Sequence, residues 1–197
     1  MRKLVYIRIV HTSADMGSLS EKLQEEVISK IGRDKWEETQ SLIRKFWDEL
    51  EKEVFGLKLD FEHTKIYQDG LPCGGEMGMK IVHNTAKRGS QNYRLIEKLV
   101  ESKAEIIDTE NPELLIEEKN LLVDIYKSLT SDDREKAKQR YETRKKELLQ
   151  ERDKYIASRI NSTLKRGETG ILFIGAEHNV IPSLEKDIEV IDLVRKE

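Results

Sequence analysis

The chain has 197 residues, which is enough for one domain with a sizeable core. Apolar residues and charged residues each make up 37% of it, so the apolar share is low and much of the chain must be solvated surface. The net charge is −3 and the two signs are interspersed, which argues against a nucleic-acid-binding surface. The richness in Lys, Glu, Arg and Ile is also typical of thermophiles.

The single cysteine, Cys73, excludes an intrachain disulfide and suits a reducing cytosol. The segment from Met1 to Val10 lacks the apolar region and cleavage site of a signal peptide. No segment approaches the roughly 20 apolar residues that span a bilayer. We therefore expect a cytoplasmic protein with no membrane-spanning segment.

The N-terminal part of the chain predicts one strand and two helices. Leu4 to Val10 is rich in Val, Ile and Tyr and reads as a buried strand that ends in a polar loop. Ser18 and Glu21 form a capping box for a helix that runs to about Ile31. Apolar residues spaced by three, four and seven between Trp36 and Val54 indicate a second, amphipathic helix.

The middle of the chain predicts two more strands around a broken helix. Leu57 to Phe61 is a strand or a loose extension, and Thr64 to Tyr67 is a short strand followed by a turn. A helix should cover Met79 to Ser102, with a break at Arg88 to Ser90. Ala104 to Asp108 is the next strand.

The C-terminal part predicts two helices and two strands. The first helix runs from Glu113 to about Leu129, and the second from about Arg134 to Arg166, with Gly167 as its C-cap. The first half of the second helix is almost entirely charged, so it should project into solvent or pair with another helix. Strands follow at Gly170 to Ile174 and at Glu189 to Leu193.

Strands that alternate with helices indicate right-handed crossovers and a mainly parallel sheet. We expect a single α/β domain over residues 1–197, with four to five strands and a helical excursion at about 113–150. In such a sheet, ligands bind outside the carboxyl ends of the strands. The polar residues that follow the four earlier strands are His11, Thr12, Ser13, Asp15, Gln68, Asp69, Asp108, Thr109, Glu110, Glu177, His178 and Asn179.

Element lengths bring Arg152 to the same edge of the sheet. It lies fifteen residues before Gly167, about 22 Å of helix, and Gly170 to His178 spans about 26 Å of strand. Arg152 also falls on the apolar face of its helix, where an unpaired charge is costly. Glu177 or an anionic ligand could pair with it, or the side chain could extend from the edge of the apolar face into solvent.

A similar length argument places Arg88 to Asn92 towards the Glu110 edge. Asn92 lies ten residues before Ser102, about 15 Å along the helix. Ser90 could restart the helix after Gly89 and present backbone N–H groups to an anion. The alternative is a plain helix break.

Two histidines follow predicted strands. His178 comes directly after a buried strand, where a neutral imidazole could bind a metal or act as a general base. With His11 and a carboxylate it would form a two-histidine, one-carboxylate site. A hydrogen-bonded structural histidine is the alternative. His63, His83 and Cys73 are weaker candidates.

The helix segment Glu151 to Ala157, which reads Glu-Arg-Asp-Lys-Tyr-Ile-Ala, together with Ile160, Gly175-Ala176 and His178, resembles the C-terminal signature of the TraB/PrgY proteins. That family groups with the Tiki proteases and, more loosely, with ChaN-like and erythromycin-esterase-like proteins. The resemblance covers about 30 residues and matches Arg152, Asp153 and His178 directly. It implies an α/β hydrolase-like site built from histidines and acidic residues, with a divalent metal in some members.

Three hypotheses follow from these residues. The first is metal-assisted hydrolysis of a small molecule or peptide, with His11 and His178 as ligands, Glu110 or Glu177 as ligand or base, and Arg152 as a clamp. The second is a non-catalytic protein that binds an anion or phosphorylated metabolite. The third is a scaffold whose long charged helix mediates homo-oligomerisation. The ligand-binding candidates are Thr12, Ser13, Asp69, Arg88, Ser90 and Asn92.

Overall fold

The computed structural model describes residues 1–9, 12 and 20–193, without the side chains of 20–23. Its five strands are β1 (Arg2–Ile9), β2 (Thr64–Gln68), β3 (Glu105–Ile107), β4 (Thr169–Gly175) and β5 (Ile188–Asp192). They form one sheet in the order β3-β2-β4-β1-β5, and every pairing is parallel. The predicted α/β class and mainly parallel sheet are confirmed.

Six α-helices accompany the sheet: α1 (Ser20–Ile31), α2 (Arg33–Gly56), α3 (Gly75–Lys87), α4 (Gln91–Glu101), α5 (Pro112–Lys127) and α6 (Ser131–Thr163). Among the described residues, short 3-10 helices cover Phe61–His63 and Ile181–Ser183. In the ranges 1–9 and 20–193, no helix is both long and apolar enough to cross a membrane.

The sheet is covered on both faces, which explains why its strands are continuous apolar runs. One face carries residues such as Val5, Ile66 and Phe173, and it packs against α2, α3 and α4. The opposite face carries Tyr6 and Leu172, which alternate with the first set along the strands, and it packs against the second half of α6. Only the strand ends are left for polar chemistry.

The helices α5 and α6 form an antiparallel hairpin. Asn111 caps α5 through a 2.8 Å hydrogen bond from the Glu113 N–H, and Thr130 caps α6 through the Asp133 N–H. Arg144 in the charged half of α6 binds Glu117 on α5. The charged half therefore pairs with another helix, one of the two predicted outcomes.

Some predicted boundaries are wrong for local reasons. Of the two alternatives for Leu57–Phe61, the strand is wrong, because the segment leaves α2 as a turn and then enters a 3-10 helix. Gly167 is not the C-cap of α6, which ends at Thr163 with Leu164 in the capping position. Gly167 instead takes a φ of +87° in the turn that leads into β4, a conformation that favours glycine. The predicted capping box at Ser18 lies outside the described residues.

Candidate functional site

The carboxyl ends of β2 and β4 lie side by side, because the parallel register pairs Gln68 with Phe173. Asp69, the first residue after β2, therefore sits against the end of β4. Its backbone N–H donates to the Phe173 carbonyl at 2.9 Å, and its Oδ2 accepts the Gly175 N–H at 2.9 Å. Asp69 is 4% exposed, so its carboxylate is held in a buried position by main-chain contacts.

Glu110 reaches the same place from the loop after β3. The N–H groups of Thr109 and Glu110 both donate to the Leu71 carbonyl, at 3.0 and 3.1 Å. The Thr109 hydroxyl accepts the Gln68 N–H and donates to the Ile107 carbonyl, each at 3.0 Å. These bonds fasten the loop to the end of β2 and leave the Glu110 side chain fully buried.

Arg152 projects from α6 into this pair of carboxylates. Its guanidinium donates to Asp69 Oδ1 at 2.6 Å, to Glu110 Oε1 at 2.5 Å and to Glu118 Oε2 at 2.6 Å. The residue is 7% exposed, so the prediction of a charge-paired arginine at the strand ends is confirmed. The predicted partner Glu177 is wrong, since its exposed carboxylate binds Lys145 instead.

The same contacts bear on the predicted clamp role of Arg152. A guanidinium has five N–H donors, and here three carboxylates accept hydrogen bonds from Nε and from both terminal nitrogens. Arg152 therefore neutralises and orients the protein's own acids, and an anionic ligand would compete with them for the guanidinium.

His178 completes the cluster from the turn after β4. Its Nδ1 lies 2.6 Å from Asp153 Oδ1, and its Nε2 lies 3.4 Å from Asp69 Oδ2. Its backbone N–H donates to the Gly175 carbonyl at 3.1 Å, and its carbonyl accepts the Tyr6 hydroxyl at 3.5 Å. The ring is thus fixed by its own main chain and by α6, with Nε2 facing Asp69.

Asn92 and Gln68 support the cluster from the other side of the sheet. The Asn92 amide donates to Gln68 Oε1 at 3.0 Å, and the Gln68 amide donates to the Asp69 carbonyl at 2.8 Å. Both side chains are buried, and Asn92 Oδ1 has no hydrogen-bond partner among the described residues. Asn92 lies at the strand ends, as its helix position predicted.

The other predicted ligand-binding residues in the described part of the chain are Arg88, Ser90 and Thr12. Arg88 is exposed at the C-terminal end of α3. Ser90 does restart the helix as α4, but its hydroxyl accepts the Tyr93 N–H as an ordinary N-cap. Thr12 is half-buried, and both His11 and Ser13 lie outside the described residues.

Burial and charge act against each other on the ionisable groups. Desolvation raises the pKa of Glu110 to about 7, although Arg152 opposes that shift. Burial lowers the pKa of His178, but the hydrogen bond to Asp153 and the charge of Asp69 outweigh it, so the net shift is upward. Desolvation also acts against the charged form of Arg152, yet Glu110 and Asp69 raise its pKa overall.

The cluster holds more acids than bases. Four carboxylates, those of Asp69, Glu110, Glu118 and Asp153, contact either Arg152 or His178. When all four are ionised, the balance is −4 + 1 = −3 with a neutral imidazole, and −2 with an imidazolium. Uncompensated buried negative charge is unfavourable, which makes the cluster receptive to a cation.

Asp69, Glu110 and His178 also have the geometry of a metal-binding group. One ligand atom from each lies within 4.8 Å of the other two, and all three residues are buried. The predicted site thus gains Asp69 as a metal-ligand candidate beside His178, whereas the second predicted ligand, His11, lies outside the described residues.

Two contributors were missed as site residues by the sequence reasoning. Asp153 matched the family signature, but no spacing argument connected it to His178. Glu118 reaches Arg152 only because α5 and α6 pair as a hairpin. The available signal was the adjacency of Asp153 to the inward-facing Arg152, which puts both on the part of α6 that reaches the strand ends.

Comparison of the chain with known protein families, with curated proteins and with solved structures gives no match.

Proposed function

We propose that Asp69, Glu110 and His178 bind a divalent transition-metal ion and that the protein is a metal-assisted hydrolase. The observation that carries this proposal is the convergence of two buried carboxylates and one imidazole within 4.8 Å, at the carboxyl ends of parallel strands. Ligands of open parallel sheets bind at this edge. The match of Arg152, Asp153 and His178 to the TraB/PrgY signature points to the same chemistry.

The donor set suits Zn²⁺ or Mn²⁺. Both ions accept imidazole nitrogen together with carboxylate oxygen, whereas Mg²⁺ and Ca²⁺ prefer oxygen alone. Ligand atoms at about 2.1 Å from one ion are about 3 to 4 Å apart, so ligand atoms that lie within 4.8 Å of one another would have to close by at most about 1 to 2 Å. A dication would also cancel two of the excess negative charges in the cluster.

The chain's own residues would supply orientation and proton transfer. A bound metal lowers the pKa of its water and polarises a carbonyl or phosphoryl oxygen. Arg152 donates hydrogen bonds to Asp69 and Glu110 and fixes the orientation of both side chains. With a pKa raised to about 7, Glu110 could also exchange a proton near neutral pH, either as a ligand or as a base beside one.

The contacts favour this proposal over an anion-binding protein. Arg152 is already bound to three carboxylates, and the start of α4 is capped by Ser90. A phosphate group would meet a net negative cluster.

Metal binding tests the proposal directly. We expect the purified protein, stripped with chelator and dialysed against Zn²⁺ or Mn²⁺, to take up about one equivalent and to unfold at a higher temperature. The variants Glu110→Gln and His178→Ala should lose both effects. His63→Ala removes an exposed histidine that binds Asp60, and it should behave like the wild type. Absence of uptake and of stabilisation in the wild type would refute the metal site.

Activity is the second readout. The metal-loaded protein should hydrolyse members of a panel of activated carboxylic and phosphate esters or labelled peptides, and Glu110→Gln should abolish that turnover. A metal-loaded protein that is inactive across the panel while still binding one equivalent would support a metal-binding protein and contradict the hydrolase.

A further inference from the structure

The two ring nitrogens of His178 have unequal surroundings. Nδ1 lies 2.6 Å from Asp153 Oδ1, which is the distance of a strong charge-assisted hydrogen bond. Nε2 lies 3.4 Å from Asp69 Oδ2, beyond ordinary hydrogen-bond length. A neutral imidazole has one proton, and the shorter contact favours that proton on Nδ1.

The contacts of the Asp153 carboxylate make it a hydrogen-bond acceptor towards His178 Nδ1. Its Oδ2 accepts the backbone N–H of Asn179 at 3.0 Å, and a backbone amide can only donate. Its other oxygen faces His178, and the side chain is 13% exposed. With both oxygens engaged as acceptors, the carboxylate requires a donor at Nδ1.

We propose that Asp153 is a positioning residue that fixes His178 as the Nδ1–H tautomer and so leaves Nε2 as the coordinating nitrogen. The tautomer of His178 is a property of the protein alone, whereas the coordinating role of Nε2 rests on the proposed metal site. Asp153 is not a member of the metal-binding group formed by Asp69, Glu110 and His178. It acts through the imidazole, as the outer carboxylates behind metal-bound histidines do in general.

The chain contains a matched pair for comparison. Asp60 also places one oxygen on a histidine Nδ1, that of His63 at 2.9 Å, and the other on a backbone N–H, that of Glu62 at 3.2 Å. Both side chains of that pair are about two-thirds exposed, at 68% and 65%. An Asp-to-Asn substitution can therefore be compared at two positions with the same hydrogen-bonding pattern, buried at Asp153 and exposed at Asp60.

Asp153→Asn separates the tautomer role from a merely structural one. The amide oxygen of Asn can still accept the Asn179 N–H, so the turn after β4 stays capped. Its NH₂ group then faces Nδ1 and donates to it, which moves the ring proton to Nε2. The substitution preserves shape while it reverses the tautomer, and this is the change that a structural role would not produce.

The test combines two measurements on wild type, Asp153→Asn and Asp60→Asn. Long-range ¹H–¹⁵N spectra of the metal-free protein in alkaline buffer report the His178 tautomer, and competition with a chromophoric chelator reports the Kd for Zn²⁺. We expect Nδ1–H in the wild type and Nε2–H in Asp153→Asn. The Kd for Zn²⁺ should rise about 10-fold to 100-fold in Asp153→Asn and stay within twofold of the wild type in Asp60→Asn.

The outcomes separate the two proposals. A wild-type spectrum with the proton on Nε2 would overturn the role of Asp153 whatever the variants do. So would a wild-type Zn²⁺ affinity in Asp153→Asn. If the wild type binds no Zn²⁺ but shows the Nδ1–H tautomer that Asp153→Asn reverses, the metal site fails and the tautomer assignment stands.

Discussion

Replacing Arg152 with Met should be among the most destabilising single changes in the cluster. Met keeps the helix-forming tendency and much of the length of the side chain, but it removes the guanidinium that contacts Asp69, Glu110 and Glu118 together. Asp69 and Glu110 are 4% and 0% exposed, so water cannot replace the lost partner without opening the site. Breaking a buried ion pair in this way costs about 3 to 5 kcal/mol.

The loss of stability in Arg152→Met should depend on pH. Glu110 already has a pKa raised to about 7 beside Arg152, and it will bind a proton more readily without the guanidinium. Protonation removes the unpaired charge, so the loss of stability in Arg152→Met should be smaller in acid than in alkaline buffer.

Urea unfolding in the presence of chelator, at about pH 5.5 and about pH 8, measures both quantities. Arg144→Met is the control, because Arg144 lies two turns earlier on α6 and also binds three carboxylates, those of Glu117, Glu147 and Glu151. Its acidic partners remain solvated, so the loss should be much smaller and nearly independent of pH. Equal losses in the two variants, or a larger Arg152→Met loss in acid, would refute the burial argument.

Two further predictions concern the ionisation of Glu110 and the packing of Gly78 in α3. The pKa of Glu110 is higher in the folded than in the unfolded protein, so the folded protein binds this proton more tightly. The contribution of Glu110 to the free energy of unfolding of the metal-free protein should therefore fall by about 2 kcal/mol between about pH 5.5 and about pH 8. In urea titrations with chelator, Glu110→Gln should remove this fall in stability, and the raised pKa of His178 should leave a smaller fall in the same direction. If the variant loses as much stability between the two pH values as the wild type does, the raised pKa of Glu110 is contradicted. Gly78→Ala should cost about 2 kcal/mol in thermal unfolding, because the new Cβ would lie 2.4 Å from the Cys73 carbonyl, whereas Gly56→Ala meets nothing within 4 Å and should be neutral or stabilising.

Much of the fold follows from periodicity. The apolar runs of β1 and β4 have no polar face, which indicates central parallel strands, and they do lie next to each other in the sheet. The strand order could not be read, because the helical connections between strands fit several orders equally well. Predicted helix ends differ from the observed ones by a few residues where several neighbouring side chains could act as the cap. Thr130, for example, caps α6, and Ser131 to Asp133 could have done so as well.

The site was predictable only where element length fixes position. Arg152 could be placed at the strand ends because it is separated from the last turn by a rigid helix and from His178 by a rigid strand. The choice among Glu177, Glu110 and Asp69 as its partner depends on which way each side chain leaves its loop. That direction is set by backbone bonds such as those from Thr109 and Glu110 to the Leu71 carbonyl, which no spacing rule encodes.

The two carboxylate oxygens of Asp69 have different partners, which explains how an arginine and a metal ion could share one cluster. Oδ1 faces Arg152, while Oδ2 accepts the Gly175 N–H and faces Nε2 of His178. The guanidinium thus holds the carboxylate in a fixed orientation before any metal arrives. Such preorganisation lowers the entropic cost of assembling ligands around an ion. Arg152 and a metal would then act on different oxygens of Asp69, so loss of the arginine should weaken metal binding even though it supplies no ligand.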